Sequence, residues 1–242
     1  DCESNSGRSH ADILTISALF VDKNFKLIEE FNCAARLRKS RIYEIDSFLV
    51  NGMDPFEVDK HPFSNFDLTK KTNDKFISWI NKGPVLFCAH NGYQFDYMLT
   101  STHLFTNLFT WPWIFSTGNA KQIDSLPILQ NFDFYAPNTI AVELNEKSNK
   151  TFKLGSLCRM NGFDLGDKAH TSDADTLGMS RLMELVNKKN PELFRKCISL
   201  NDKKNVLPSI KDVDYFCHPE TFFGRTRQFT SSYLCEHPVY KG

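Results

Sequence analysis

Three short clusters of ionisable residues are spread along this chain of 242 residues. The first holds Asp1 and Glu3, the second ends at Asp96, and the third pairs His170 with Asp175. Four carboxylates and one imidazole are the groups needed to hold two divalent cations and to take a proton from water. The order and spacing of the clusters therefore predict metal-dependent hydrolysis of a phosphodiester.

The first cluster needs a β-strand to bring its two carboxylates together. Side chains two positions apart on a strand point to the same face. Carboxylates on one face repel each other unless a cation lies between them, so Asp1 and Glu3 are predicted metal ligands. Two solvated acids at a frayed chain end are the alternative, and this cluster alone leaves it open.

The second cluster follows the apolar run at residues 85–89, which predicts a strand buried on both faces. Ligand groups in α/β proteins collect where strands end and helices begin, so Asp96 is a candidate ligand. An acid at a helix start can also be stabilised by backbone N–H groups and the helix dipole, and the two readings are compatible. His90, at the same strand end, is interpreted as a structural hydrogen-bonding residue.

The third cluster lies at the start of a helix predicted over residues 172–188. Asp175 begins an apolar stripe that continues through Met179 and Leu182, and such a stripe is the buried face of a helix. The carboxylate should therefore point inward, as a metal ligand would. The alternative is a capping box between Ser172 and Asp175.

His170 precedes that helix and would lie beside the metals without binding them. An ordinary imidazole pKa of about 6.5 suits a general base at neutral pH. A structural hydrogen bond is the alternative for this histidine taken alone.

Charge and cysteine content limit the partners and the compartment. Lys+Arg and Asp+Glu both count 29, so the formal net charge is zero. A polyanionic partner must then be held by a local patch or by metals rather than by overall charge. The odd number of cysteines, seven, and the lack of a CxxC pair predict free thiols in a reducing compartment, which we take to be the cytoplasm. No apolar run is long enough to predict a membrane span.

The remaining pattern predicts an α/β fold with a mixed sheet. Asp124 is interpreted as structural. Five aromatic residues are interpreted as core, with a platform on which bases stack as the alternative: Phe105, Phe109, Trp111, Trp113 and Phe115. Strands are predicted over 11–22 and 25–36 with a turn at 23–24, a strand or turn over 123–129, helices over 66–81 and 153–160 and from 191, and turn-rich β-like sequence after about 201.

These residues resemble the DEDDh 3′→5′ exonuclease family, which has a ribonuclease H-like fold. Asp1 and Glu3 match its first motif, Asp96 its second, and His170 with Asp175 its third. Within the family the chain is most similar to bacterial exonuclease I, through the segments at 110–113, 190–205 and 222–238. Its motifs are also close to the animal three-prime repair exonucleases.

The resemblance implies a reaction and a set of ligands. Asp1, Glu3, Asp96 and Asp175 would hold two Mg²⁺ ions, for which Mn²⁺ can substitute, and His170 would be the general base. The product would be a 5′-mononucleotide released from single-stranded DNA. Residues at the terminal nucleotide would be Asn51, Gly52, Met53, Asn91 and Phe95.

The resemblance also implies a domain organisation. Residues 1–200 would form the exonuclease domain, with its first strand truncated, and 201–242 a linker with an incomplete β-barrel of the src-homology type. A 3′→5′ exoribonuclease of the same family and a catalytically inactive nucleic-acid-binding module are the alternatives.

Overall fold

The computed structural model describes residues 1–8, 10–40, 42–163, 171–222 and 225–236. Its strands are β1 (Cys2–Ser4), β2 (Ile13–Val21), β3 (Leu27–Ala34), β4 (Val85–Ala89), β5 (Ala120–Asp124), β6 (Glu143–Leu144), β7 (Lys150–Thr151), β8 (Phe216–Phe222) and β9 (Arg225–Ser231). Its helices are α1 (Ile45–Asn51), α2 (Pro55–Asp59), α3 (Asn65–Ile80), α4 (Asp96–Thr106), α5 (Ser125–Tyr135), α6 (Leu154–Met160), α7 (Ser172–Lys189), α8 (Pro191–Leu200) and α9 (Lys203–Lys211), with a 3₁₀ turn at Ile114–Ser116. The α/β class predicted from the sequence is confirmed.

The first sheet has the order β1-β2-β3, and both pairings are antiparallel. The predicted turn joins β2 to β3: the Asp22 carboxylate accepts hydrogen bonds from the backbone N–H groups of Asn24 and Lys26, at 2.8 and 3.0 Å. Phe25 completes the turn with a φ of 62°. The register places Cys2 opposite Ile16, so β2 fixes the position of the short strand that carries the first acidic cluster.

The second sheet is the parallel pair of β4 and β5, which α4 connects. Among the described strands, β4 has β5 as its only hydrogen-bonded neighbour. The antiparallel strands β1-β2-β3 and the parallel strands β4-β5, which were expected in one mixed sheet, therefore have no hydrogen-bonded ladder between them. A cavity of about 780 Å³ borders residues of β2 on one side and of β4 on the other. Leu86, which lines this cavity, is 41% exposed. The prediction that β4 is buried on both faces was therefore wrong.

Two apolar cores hold the helices against the sheets. In the first, Trp79 of α3 stacks on Phe20 of β2 with 5.2 Å between ring centroids. In the second, Leu157 of α6, Leu182 of α7 and Phe132 of α5 are completely buried. Ile123 of β5 belongs to the same core, and α7 packs against β2, α5 and α6.

The aromatic residues at the end of α4 and in the connection to β5 agree only in part with their prediction as core. Phe105, Trp111 and Trp113 are 65%, 51% and 66% exposed, whereas Phe115 is buried and Phe109 partly buried. Leu108 has a φ of 60°, which interrupts regular structure. Without a regular period, the aromatic residues cannot all face one side.

Two further stretches differ from the sequence predictions. Residues 125–129, predicted as strand or turn, begin α5, which the Asp124 side chain caps. Residues 203–211, predicted as turn-rich and β-like, form α9, with Asp202 as its N-cap.

The C-terminal hairpin of β8 and β9 packs against α5, where the Gln130 side chain donates to the hydroxyls of Thr221 and Thr226 at 3.1 and 3.3 Å. In the described part of the chain these two strands do not close into a barrel. The domain division at residue 200 stays a prediction.

The seven cysteines are free thiols, as predicted. Of the helices that the structure describes, none has the length and apolar character needed to cross a membrane.

Candidate metal centre

Strand β1 presents the first pair of acids. Cys2 and Ser4 are buried, whereas Glu3 is only half-buried, as expected for side chains that alternate between two faces. Asp1 is also half-buried, and its backbone carbonyl accepts a hydrogen bond from Ser17 of β2 at 3.0 Å. The two carboxylates thus share the face opposite to Cys2, and the frayed-terminus alternative is not what the structure shows.

Helix α7 brings the third acid to the same place. One carboxylate oxygen from each of Asp1, Glu3 and Asp175 lies within 4.8 Å of the others. Met179 and Leu182, further along the stripe that Asp175 begins, are buried. The predicted inward face of this helix is therefore confirmed.

Hydroxyl groups fix the start of α7 to β2. The Ser172 hydroxyl lies 2.7 Å from that of Ser17, and the Thr176 hydroxyl donates to the Ser17 carbonyl at 3.2 Å. The N-cap is Thr171, and Ser172 is already inside the helix. The capping-box alternative was therefore wrong, because the Ser172 side chain serves the contact with β2. Sequence reasoning missed Ser17, since an isolated serine in an apolar strand gives no periodic signal.

Asp96 is the first residue of α4 and is 6% exposed. Its Oδ1 atom accepts a hydrogen bond of 2.9 Å from the backbone N–H of Cys2, between the two acids of β1. The second predicted acid thus borders the cluster, although it is outside the group of three whose oxygens lie within 4.8 Å. Asp96 is the first residue of its helix, as the structural reading expected, and its role as a metal ligand stays a prediction.

The cluster is electrostatically unfavourable without a cation. Burial, followed by the charges of Asp175 and Asp96, raises the pKa of Glu3 to about 8. Burial also raises the pKa of Asp96. The Oδ2 atom of Asp1 is buried and accepts no hydrogen bond from the residues that the structure describes. A divalent cation with oxygen ligands fits this donor set, because it would satisfy that oxygen and offset the repulsion.

A pocket of about 330 Å³ opens beside the cluster. Glu3, Ser4, Asn51 and Phe95 are among its lining residues, and the Asn51 side-chain amide donates to the Ser4 carbonyl at 3.3 Å. Two of the five predicted substrate contacts, Asn51 and Phe95, therefore line a space next to the acids.

The other predicted substrate contacts have different surroundings. Gly52 ends α1 with a φ of 63°, and the Met53 N–H donates to the Phe48 carbonyl at 3.0 Å. Asn91 has a φ of 59°, and its N–H donates to Asp124 at 2.8 Å. None of these three lines the pocket, so their contact with a nucleotide stays a prediction.

Of the two histidines with a predicted role, only His90 lies within the described residues. His170 lies outside the described residues, and its role as general base stays a prediction. His90 has the structural function that was predicted, since Nε2 lies 2.8 Å from the Phe152 carbonyl and Nδ1 lies 2.9 Å from the Ser125 hydroxyl. Because a carbonyl only accepts, Nε2 carries the proton. Burial lowers the pKa of His90, which favours the neutral ring.

The chain is 26% identical over 225 residues to a curated protein, Exodeoxyribonuclease I of Buchnera aphidicola subsp. Schizaphis graminum (strain Sg), and the match covers 90% of this chain and 45% of that relative. No family model matches the chain.

Solved structures agree with the sequence match. The fold superposes on E. coli exonuclease I in complex with a dA16 oligonucleotide with a TM-score of 0.85 and 18% identity, over 99% of this chain and 52% of that chain. A zinc-bound E. coli exonuclease I complex with single-stranded DNA gives a TM-score of 0.85, 18% identity, and coverage of 99% and 51%. The predicted resemblance to exonuclease I is confirmed, and the chain spans about half the length of the relatives it matches.

Proposed function

We propose that this chain is a DEDDh-type 3′→5′ exonuclease that hydrolyses single-stranded DNA to 5′-mononucleotides. The observation that carries the proposal is the convergence of carboxylate oxygens from Asp1, Glu3 and Asp175 within 4.8 Å. These residues come from β1 and from α7, which are more than 160 positions apart in sequence. The fold thus gathers distant acids at one point at an electrostatic cost, as in metal-dependent catalysis.

The proposed metals are two Mg²⁺ ions, with Mn²⁺ as a substitute, because all of the available ligand atoms are hard oxygens. Asp1, Glu3 and Asp175 would hold one ion and Asp96 would act at the second. When bound, the ions would lower the pKa of a water molecule and neutralise charge on the phosphodiester. A bound divalent cation at the homologous fold is consistent with this, since an E. coli exonuclease I structure contains zinc.

The chain's own residues would orient the substrate and move a proton. Asn51 and Phe95 line the pocket beside Glu3, where the terminal nucleotide would sit. Phe95 offers an aromatic ring on which a base can stack. His170 would accept the proton of the attacking water, a prediction that rests on the third motif of the sequence.

Single-stranded DNA is the proposed substrate because the relatives point to it. The match from Buchnera is named as an exodeoxyribonuclease, and the E. coli structures contain DNA oligonucleotides. A pocket of about 330 Å³ has the size expected for one small ligand group, such as a nucleotide.

Timed digestion of three 5′-labelled substrates with Mn²⁺ tests the proposal. The substrates are single-stranded DNA, RNA of equal sequence, and DNA with a blocked 3′ end. We expect a ladder that shortens from the 3′ end on the unblocked DNA alone. Equal or faster loss of the RNA would move the assignment to the exoribonucleases, and no cleavage of any substrate would favour the inactive binding module.

If no substrate is cleaved, the change in Tm on adding Mn²⁺ distinguishes an inactive binding module from a poorly active preparation of a nuclease. A nuclease with an intact site gains thermal stability from Mn²⁺, because the ion binds the folded state only. A binding module without a metal site gains little.

A further inference from the structure

We infer that Asp124, which no motif of the proposed nuclease includes, is a positioning residue that holds Asp96 at the metal centre. The inference rests on the proposed function. Asp124 ends β5 and caps α5, and it is 6% exposed. Its partners are the backbone of the loop that leads from β4 to Asp96.

The Asp124 carboxylate accepts hydrogen bonds from the loop before α4 and from the first turn of α5. Oδ1 accepts from the N–H of Asn91 at 2.8 Å and from that of Leu126 at 2.9 Å, and Oδ2 accepts from the N–H of Tyr93 at 3.3 Å. Leu126 belongs to α5, whereas Asn91 and Tyr93 belong to the loop before α4. One buried side chain therefore ties that loop to the end of β5.

The loop transmits this anchoring to Asp96 through a tight turn. The Gly92 carbonyl accepts from the N–H of Phe95 at 3.3 Å and from that of Tyr97 at 3.0 Å, so the turn encloses Asp96. The Tyr97 hydroxyl donates to the Ile123 carbonyl at 2.6 Å, which anchors the other end of the turn to β5. Asp96 is thus held from both sides by the same strand end.

Gly92 shows how little freedom this turn has. A Cβ atom at Gly92 would lie 2.5 Å from the Ala89 Cβ and 3.0 Å from the Tyr97 ring. Any side chain there would have to displace β4 or Tyr97. Because Asp96 also accepts from Cys2 of β1 at 2.9 Å, a shift of the turn would change the distance between Asp96 and the acids of β1.

Asp124 acts through the backbone rather than as a ligand itself. Both of its oxygens already accept backbone hydrogen bonds, and the group of acids with converging oxygens does not include it. Residues that orient a metal ligand typically change metal affinity or activity by about 10–100-fold when they are mutated.

The test compares Mn²⁺ titrations of nuclease activity for the wild type, Asp124→Asn and Asp124→Ala, at a temperature well below each Tm. Asn keeps one acceptor oxygen and loses the other, so we expect it to raise the half-saturating Mn²⁺ concentration by about 10-fold, and Ala to raise it further. Gly92→Ala perturbs the same turn without touching Asp124 and should act in the same direction. Asp202→Asn is the matched control, since Asp202 also caps a helix, and it should leave the half-saturating concentration unchanged.

A purely structural Asp124 would lower the Tm and leave the Mn²⁺ dependence of the folded protein unchanged, and this result would overturn the inference. Calorimetric titration of Mn²⁺ into the same variants gives a readout that does not depend on turnover, and weaker binding in both Asp124 variants and in Gly92→Ala is expected. Absence of hydrolysis by the wild type would overturn the proposed function, and the inference with it. Hydrolysis by the wild type with equal Mn²⁺ affinity in all variants would overturn the inference alone.

Discussion

Replacing Glu3 by Gln should stabilise the metal-free protein and destabilise the metal-bound one relative to the wild type. Burial and the charges of Asp175 and Asp96 raise the pKa of Glu3 from 4.5 to about 8. An acid whose pKa is higher in the folded state than in the unfolded state contributes stability at low pH, and it loses that contribution as the pH rises. Gln removes the titrating group but keeps nearly the same shape.

The magnitude follows from the pKa. At about 1.4 kcal/mol per pH unit, the rise in the pKa of Glu3 lowers the free energy of unfolding by at most about 5 kcal/mol at pH 8 and above. Glu3 is half-buried, and solvent screens its interactions, so we expect a measured gain of about 2 kcal/mol for Glu3→Gln. For a chain of this length, that gain is an increase of about 4–8 °C in Tm.

The assay is thermal unfolding in a chelator between pH 4 and pH 9, with exposed Glu146→Gln as the matched control. The difference between Glu3→Gln and the wild type should be near zero at pH 4, should grow from about pH 4.5 to about pH 8, and should then stay constant. With Mn²⁺ at about 1,000 times the Kd of the wild type, the wild type gains about 4.1 kcal/mol, whereas a variant that binds the ion about 100-fold more weakly gains about 1.4 kcal/mol. That difference exceeds the advantage of about 2 kcal/mol that the variant has without metal, so the order reverses. Equal Tm values for the two proteins at every pH, with and without Mn²⁺, would refute the reasoning.

Three further predictions concern packing and protonation. Leu182→Ala should lower the free energy of unfolding by about 2–5 kcal/mol, because Leu182 is completely buried. Leu177→Ala in the same helix should lower it far less, because Leu177 is 40% exposed. Urea unfolding measures both free energies, and equal losses would contradict the packing of α7. Trp113→Ala, at 66% exposure, should change Tm less than Phe115→Ala, at 5% exposure, and the reverse order would show that the exposed aromatic segment is packed. Because burial lowers the pKa of His90, the folded state loses stability relative to the unfolded state as the pH falls below about 6.5. His90→Gln should therefore reduce the drop in Tm between pH 7 and pH 5. An unchanged drop would contradict a neutral buried ring.

The sequence predicted the strongly periodic elements well. The apolar stripe of Met179 and Leu182 predicted the buried face of α7, because a helix with one apolar face must bury it. The turn at residues 23–24 was predicted because Lys23 and Asn24 separate two apolar stretches, and in the structure the Asp22 carboxylate accepts from the backbone of that turn. The likeness of the acidic clusters to known motifs predicted that the acids of β1 and α7 would meet.

What the sequence could not predict depends on long-range contacts. The exposure of Trp111 and Trp113 is set by the irregular path after α4, which no period encodes. The hydrogen bond from Cys2 to Asp96 joins residues 94 positions apart. The anchoring of the Asp96 loop by Asp124 arises only when β5 lies beside β4, so sequence reasoning identified Asp124 as structural without showing what it holds.

Digestion of a 5′-labelled single-stranded DNA by Asp175→Asn, beside the wild type at equal Mn²⁺, tests the central claim most directly. Asn keeps the size of the side chain and removes the charge that the metal needs. If the converging carboxylates are the catalytic centre, the wild type shortens the DNA from its 3′ end, and the variant, still folded by its Tm, loses at least about 100-fold in rate. A folded Asp175→Asn protein that degrades the DNA at the wild-type rate would contradict the account.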